Sequence, residues 1–382
     1  MREIHFGRPT IGDAERTAVM EVLNGPILVH GPRAVAFEKA FAEWTGAPHA
    51  VSTSSCTASL HLCYFYLGLG RGDEVIVPAQ THAATAHAVE LTGATPIFVD
   101  AEQRTGNIDI AQIEAVVTPR TRAISVVHYL GLPVDMDAVN AIAKKYELFV
   151  VEDCALSLGS RYRGVHTGLL GDAGCFSFYP VKHITTAEGG MITTTNAEIA
   201  AKISRQKAFG VDRQHGDRKV PGVYDVTMLG FNYRMNEIEA AIGIEQMKRL
   251  GGILATRERN YRALHRKLRE IDEISLLETS NGVYESSYYC LSILLGKKLA
   301  DMRFELVTKL NAAGVGTSVY YPKAVPDLTY YREKYGFVPG RYPNASWISD
   351  ASIALPVGPH LNEDDMAYIA DAVGAAISEL TQ

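Results

Sequence analysis

A chain of 382 residues exceeds what one hydrophobic core usually serves, and 47% hydrophobic with 21% charged residues excludes a disordered polypeptide, so a large domain with a smaller one attached is expected. The formal net charge of −6 offers no overall attraction to nucleic acid or to an anionic membrane surface, and any phosphate site must be local. No stretch approaches the roughly 18 uninterrupted apolar residues of a membrane span, the Met1-Arg2-Glu3-Ile4-His5 start lacks a secretory apolar region, and the expected compartment is the cytoplasm.

Helical spacing runs over residues 12–23, with Ala18, Val19, Val22 and Leu23 on one side, and over 34–44, with Ala34, Phe37, Phe41 and Trp44. Asn24-Gly25-Pro26 between them is a turn signal. From Ala50 to Leu60, small hydroxyl residues lead into an apolar helix. Backbone N–H groups gathered at such a start form an anion site, for which Cys56 and Thr57 are the candidates; a plain Ser/Thr cap is the competing reading. Strands are expected at 74–78, 96–100 and 122–128, with helices over 85–91 and 135–146. This alternation implies a mostly parallel sheet covered by helices on both faces. Cys56, Cys63, Cys154, Cys175 and Cys290 are widely spaced and mostly within apolar runs, the pattern of reduced core thiols and not of a disulfide or metal framework.

Leu148-Phe149-Val150-Val151 ends in Glu152-Asp153, which puts a carboxylate at the carboxyl end of a buried strand, where α/β sheets bind ligands. A carboxylate there can keep a pyridine nitrogen protonated, as pyridoxal phosphate requires, and Asp153 is the candidate; turns and helix caps use the same residue type. Two further short strands, 175–178 and 191–194, flank a loop that holds Lys182. A lysine presented on such a loop among hydroxyl residues suits a covalent bond to a carbonyl cofactor, against the alternative of a solvated surface side chain.

A helix over 197–208 precedes the polar segment 212–222, which reads as a mobile surface loop. Helical patterns follow over 238–250 and 256–271, and Gly251-Gly252 between them marks the expected boundary between a large domain, 1–250, and a small α+β domain, 251–382. The latter carries apolar runs at 288–295 and 316–321, a helix over 302–313 and a closing amphipathic helix from Glu363, capped by Asn362.

Val151-Glu152-Asp153, Gly171-Asp172, Phe176-Ser177-Phe178-Tyr179, Lys182 and Glu188-Gly189-Gly190, followed by Gly230-Phe231-Asn232-Tyr233-Arg234, resemble the DegT-type nucleotide-sugar aminotransferases over nearly the whole chain. The resemblance implies a fold-type I, pyridoxal-phosphate-dependent transferase that moves an amino group, from glutamate, onto a keto sugar carried by a nucleotide. It implies that Lys182 holds the cofactor and shuttles the proton, that Asp153 faces the ring nitrogen, and that Thr57 and Ser177 take the phosphate. A homodimer with shared active sites is further implied, Asn232 serving the partner's phosphate site, with the N-terminal segment reaching over the site. Four positions depart from the family pattern: Cys56 stands for glycine, Leu156 for glutamine, Tyr320 for histidine, and His82 for the aromatic ring that lies over the cofactor. Two rival functions are a related dehydratase, which replaces the lysine, often by histidine, and a non-catalytic regulator on the same fold. Lys182 argues against the first, although His183 stands beside it.

Overall fold

The expected apolar runs assemble into a seven-stranded central sheet in the computed structural model, which describes residues 2–212, 223–336 and 338–381. Along the chain the strands are β1 (His49–Thr53), β2 (Glu74–Pro78), β3 (Thr95–Val99), β4 (Thr121–Val127), β5 (Phe149–Asp153), β6 (Arg161–Tyr162), β7 (Val165–His166), β8 (Ala173–Ser177), β9 (Gly190–Thr194), β10 (Ile274–Leu276), β11 (Tyr284–Glu285), β12 (Leu291–Leu295) and β13 (Ser352–Leu355). The helices are α1 (Asp13–Leu23), α2 (Pro32–Thr45), α3 (Cys56–Tyr66), α4 (Ala83–Glu90), α5 (Ile113–Val116), α6 (Met136–Tyr146), α7 (Ala197–Gln206), α8 (Glu237–Leu268), α9 (Arg303–Ala312), α10 (Thr329–Tyr335), α11 (Pro343–Ala351) and α12 (Glu363–Thr381). The central order is β1-β9-β8-β5-β4-β2-β3, and β9 alone runs against the others.

Alternation along each strand sends side chains to two cores. Val75 and Val77 of β2 pack with Leu60 and Cys63 of α3, whereas Ile76 between them packs with Val139 and Ile142 of α6. Helix starts are tied across the molecule. Asp100, just after β3, accepts from the Asn344 and Ala345 amides at the start of α11, and Glu237 of α8 accepts from the Arg33 and Ala34 amides of α2.

A second core forms where the antiparallel sheet β10-β12-β13 meets α9, α12 and the end of α8, through Leu291, Ile293, Ile353, Leu306, Met366 and Val373. Two helices are expected on either side of Gly251-Gly252, but α8 is one continuous helix of 32 residues. Its early turns place Met247, Leu250 and Ile253 in the large core beside Phe37 and Phe178; its later turns place Tyr261, Leu264 and Leu268 in the second core. Packing on both sides outweighs the weak helix propensity of the glycine pair, so the expected boundary at 250/251 falls inside a helix. Ile4 likewise departs from the expected 1–250 unit. It pairs with Val315 and is buried in the second core. Of the apolar run over 288–295, Leu291–Leu295 forms β12, and the 316–321 run contributes a bridge, Ser318 to Ala354. Asn362 caps α12 as expected, its Oδ1 accepting from the Asp365 amide at 3.0 Å. The segment expected as a mobile loop lies, from 213 to 222, outside the described residues.

Candidate active site

Asp153 and Glu152 alternate at the end of β5, so the two carboxylates face opposite ways. Glu152 is completely enclosed and satisfied: His128 Nε2 lies 2.8 Å from Oε2, and the Gly168, Leu170 and Gly171 amides donate at 2.7–2.8 Å. Burial pushes its pKa up, but His128 and the amides outweigh this and hold it below the usual range. His128, Glu152 and Cys154 cluster closely enough to suggest a metal site. With His128 Nδ1 accepting from Val134 and Glu152 spent on the 168–171 turn, the cluster is a structural brace for the turn that precedes β8. Asp153, 5% exposed, faces the other side; Thr85 Oγ1 donates to its Oδ2 at 2.8 Å and the Ala155 amide to its Oδ1 at 3.1 Å.

Lys182 sits on the connection between β8 and the reversed strand β9, and that connection is wired to itself. Phe178 N donates to Gly189 O, Thr186 N and Thr185 Oγ1 donate to Phe178 O, and Lys182 N donates to Tyr179 O. Its Nζ lies 5.3 Å from the centre of the Tyr289 ring. Burial lowers the lysine pKa, opposed by Cys56, Asp153 and Cys290, so a larger share of the amine is neutral than in an exposed lysine. His183 turns away. It is buried, its Nε2 lies 3.1 Å from Ser287 O, and burial and Arg257 push its pKa well below the usual value. Lys182 is therefore the amine presented beside Asp153, while His183 is held by Ser287.

Gly190 brings β9 against the turn into α3, since a Cβ there would stand 2.5 Å from the Ser55 carbonyl group. Ser55 caps α3 through Ala58 N, and the Cys56 and Thr57 amides of the first turn have no hydrogen-bond partner among the described residues. The Cys56 thiol points inward, 3.4 Å from Cys175 O and 4.0 Å from Asp153 Oδ1, and burial followed by Asp153 pushes its pKa well up. Cys56 can thus offer an anion its amide, not its side chain. Thr57 and Ser177 are half-buried, the latter accepting from Tyr179 N at 3.4 Å.

His82 is an exposed ring at the start of α4. Its Nδ1 accepts from Ala84 N at 3.1 Å and its ring meets Tyr321 edge-on at 5.4 Å. Burial of its inner edge lowers its pKa, so the acceptor nitrogen stays free of a proton. Asn232 is not brought to this cluster; it is exposed, in a bridge with Ala208, and no hydrogen bond joins it to Lys182, Asp153 or Ser177. Sequence patterns leave unassigned Thr85, Tyr289 and Cys290, whose only signal is an ordinary strand or helix context. Tyr289 Oη lies 2.8 Å from Tyr320 Oη, and Gln80, just after β2, reaches Tyr320 O at 3.0 Å, so the 289 and 320 segments meet the end of a central strand.

Residues 9–374 match the DegT/DnrJ/EryC1/StrS aminotransferase family. The chain is 36% identical over 375 residues to the spore coat polysaccharide biosynthesis protein SpsC of Bacillus subtilis, covering 96% of this chain and 95% of that protein. It is 35% identical over 377 residues to an uncharacterised protein of Methanocaldococcus jannaschii, covering 97% of each. Among solved structures it superposes on Helicobacter pylori PseC, an aminotransferase involved in the biosynthesis of pseudoaminic acid, with a TM-score of 0.92 at 29% identity over 99% of this chain and 100% of that one. The putative sugar aminotransferase Spr1654 of Streptococcus pneumoniae, in its PMP form, gives 0.93 at 28% identity over 99% of this chain and 100% of that one, and its PLP form gives 0.93 as well. The fold is that of the pyridoxal-phosphate-dependent sugar aminotransferases, and pyridoxal phosphate is the cofactor. The residues present fit it: a buried carboxylate for the ring nitrogen, one amine with a lowered pKa, and unpartnered amides at a helix start for the phosphate.

Proposed function

Because the chain belongs to the DegT/DnrJ/EryC1/StrS aminotransferase family, we propose that it moves an amino group from glutamate onto the keto carbon of a sugar linked to a nucleotide. The observation that carries the reading is the Lys182 amine, of lowered pKa, held on a wired loop beside the Asp153 carboxylate, with the thiol of Cys56 4.0 Å from that carboxylate. Pyridoxal phosphate, when bound, supplies the electron sink that makes a carbon next to nitrogen acidic. Lys182 would hold the cofactor, and its amine would carry the proton to and from the reacting carbon. Asp153, oriented by Thr85 and Ala155, keeps the proton on the ring nitrogen. Thr57, Ser177 and the Cys56 amide would take the phosphate, and the His82 ring would lie against the cofactor.

In this reading the protein works as a homodimer whose two active sites are shared, Asn232 completing the phosphate site of the neighbouring subunit. Its exposure, and its carboxamide's lack of an intrachain hydrogen bond among the described residues, support that placement. Incubating the loaded protein with glutamate and a panel of keto sugar nucleotides tests the function. An amino sugar nucleotide and 2-oxoglutarate in equal amounts are expected; no product across dTDP-, UDP- and GDP-linked sugars would count against it.

A further inference from the structure

A cavity of about 920 Å³ opens between the two cores, near the top of the size range of small-molecule sites, which favour such junctions. One wall is made by the loops that follow β3 and β4, with Ile108 and Val134; the other is made by the later turns of α8 and the segment 277–288. That second wall is aromatic. The Tyr261 ring lies 5.9 Å from His265, nearly parallel to it, and 5.1 Å from Tyr288, and all three line the cavity. Lys182, Asp153 and Cys56 are not among the lining residues. Tyr288 marks the divide, since its side chain lines the cavity while the next ring, Tyr289, stands 5.3 Å from Lys182 Nζ. Tyr288 also holds a φ of 50°, a conformation rare for a bulky residue and concentrated at functional sites.

The acids that line the cavity are all engaged. Glu102 accepts from Thr105, Asp109 from the Ala111 amide, Asp135 from Tyr162 and the Ala138 amide, and Glu278 from Arg104 at 2.9 Å. Arg262 is spent on Glu258 and the Tyr288 hydroxyl. Arg266, one turn further along α8 and exposed at the rim, has no hydrogen bond or ion pair among the described residues. Asn281 uses its Oδ1 on the Val283 and Tyr284 amides, which leaves its carboxamide nitrogen without a partner among them. Both open groups are donors, so what fits them brings acceptors and, for Arg266, a negative charge. We propose that this cavity is a second ligand site and that it takes a nucleotide, with the heterocycle against the tyrosine wall, its ring acceptors toward Asn281 and its phosphate on Arg266. A sugar phosphate without a base would leave the aromatic wall uncovered, and an aromatic carboxylate would leave most of the 920 Å³ empty. The proposed amino transfer needs a nucleotide-linked sugar at Lys182 and no nucleotide here, so this site goes beyond that reading.

Calorimetric titration of the pyridoxal-phosphate-loaded protein with UMP and with AMP, one pyrimidine and one purine, tests the site. Two variants at exposed positions report on the cavity alone: Arg266→Glu reverses its open charge, and Ala111→Trp sets an indole into its mouth. Each is expected to weaken the better-bound nucleotide by about 10- to 100-fold, the range of a hydrogen bond to a charged group, and to leave amino transfer at the parent rate. Inorganic phosphate and the matching nucleoside are each expected to bind more weakly than the nucleotide. Unchanged nucleotide affinity in either folded variant overturns the proposal, because the binding then belongs to the site at Lys182. Absence of binding tighter than about 1 mM for both nucleotides overturns it as well. So does inorganic phosphate that binds as tightly as the nucleotide, since the tyrosine wall would then contribute nothing. Should Ala111→Trp fail to fold, Arg266→Glu decides by the same measurement. Nucleotide binding lost in both variants while the amino-transfer rate persists upholds a site separate from the one at Lys182, and the same loss in a protein without transferase activity upholds it too and faults only the proposed function.

Discussion

Thr85 Oγ1 donates to Asp153 Oδ2 at 2.8 Å, and Thr81 Oγ1 stands 2.8 Å behind it, so two hydroxyls of the α4 entry hold the carboxylate at the end of β5. Losing a hydrogen bond to a charged group costs about 1.5–3 kcal/mol. Thr85→Val should therefore lower turnover roughly 10- to 100-fold while the far-UV circular dichroism is unchanged, and Thr85→Ser, which keeps the hydroxyl, should restore most of it. Equal rates for the Val variant and the parent would show that Asp153 needs no such support.

Lys182→Ala should abolish covalent cofactor attachment and the half-reaction with glutamate, with the secondary structure intact. Its pKa makes a second expectation. Burial lowers the folded value below the usual 10.5, so the neutral amine gains on its ammonium form as pH rises through that lower value. The rate at which cofactor-free protein is reloaded by pyridoxal phosphate should rise with pH and level off below the pH at which an exposed lysine does. A midpoint at or above 10.5 would show that burial does not govern the amine.

His82 caps α4 and sets its ring edge-on to Tyr321, and the proposed function gives that ring a second job against the cofactor. Removing a helix cap costs roughly 0.5–2 kcal/mol. His82→Asn should keep the stability measured by urea denaturation but release cofactor faster, whereas His82→Phe should lose stability and hold its cofactor. His82→Ala should lose both. Identical cofactor release from Ala, Asn and parent proteins would remove the ring from the site.

Gly251 and Gly252 lie on the exposed side of α8, where a methyl group added to either would have nothing within 4 Å among the described residues. Each change to alanine should stabilise the protein by about 0.5–1 kcal/mol in urea titrations, because glycine is the poorer helix former. A loss of stability would mean that the helix needs freedom there.

Asn232 provides a test of the shared site. Lys182→Ala chains mixed with Asn232→Ala chains should regain part of the activity that neither has alone, since one site of a mixed dimer would carry both native residues. No recovery despite demonstrated subunit exchange would place Asn232 outside the partner's site.

Lys182 and Asp153 are legible in the sequence because each is announced by its covalent neighbours: an apolar run ending in acids, and a lysine between a Tyr-Pro stop and a Gly-Gly pair. The sheet is legible for the same reason, since periodicity is a local property that burial on two faces imposes on every strand. Local pattern could not decide the fate of Gly251-Gly252. It reads as a break in isolation, yet the segment is helical because α8 has a core to pack against at each end. Nor could it bring Thr85 to Asp153, Tyr289 to Lys182, or Ile4 to Val315. Those meetings join distant stretches of chain, and only the summed packing of two cores, which offsets the entropy of closing such loops, selects them.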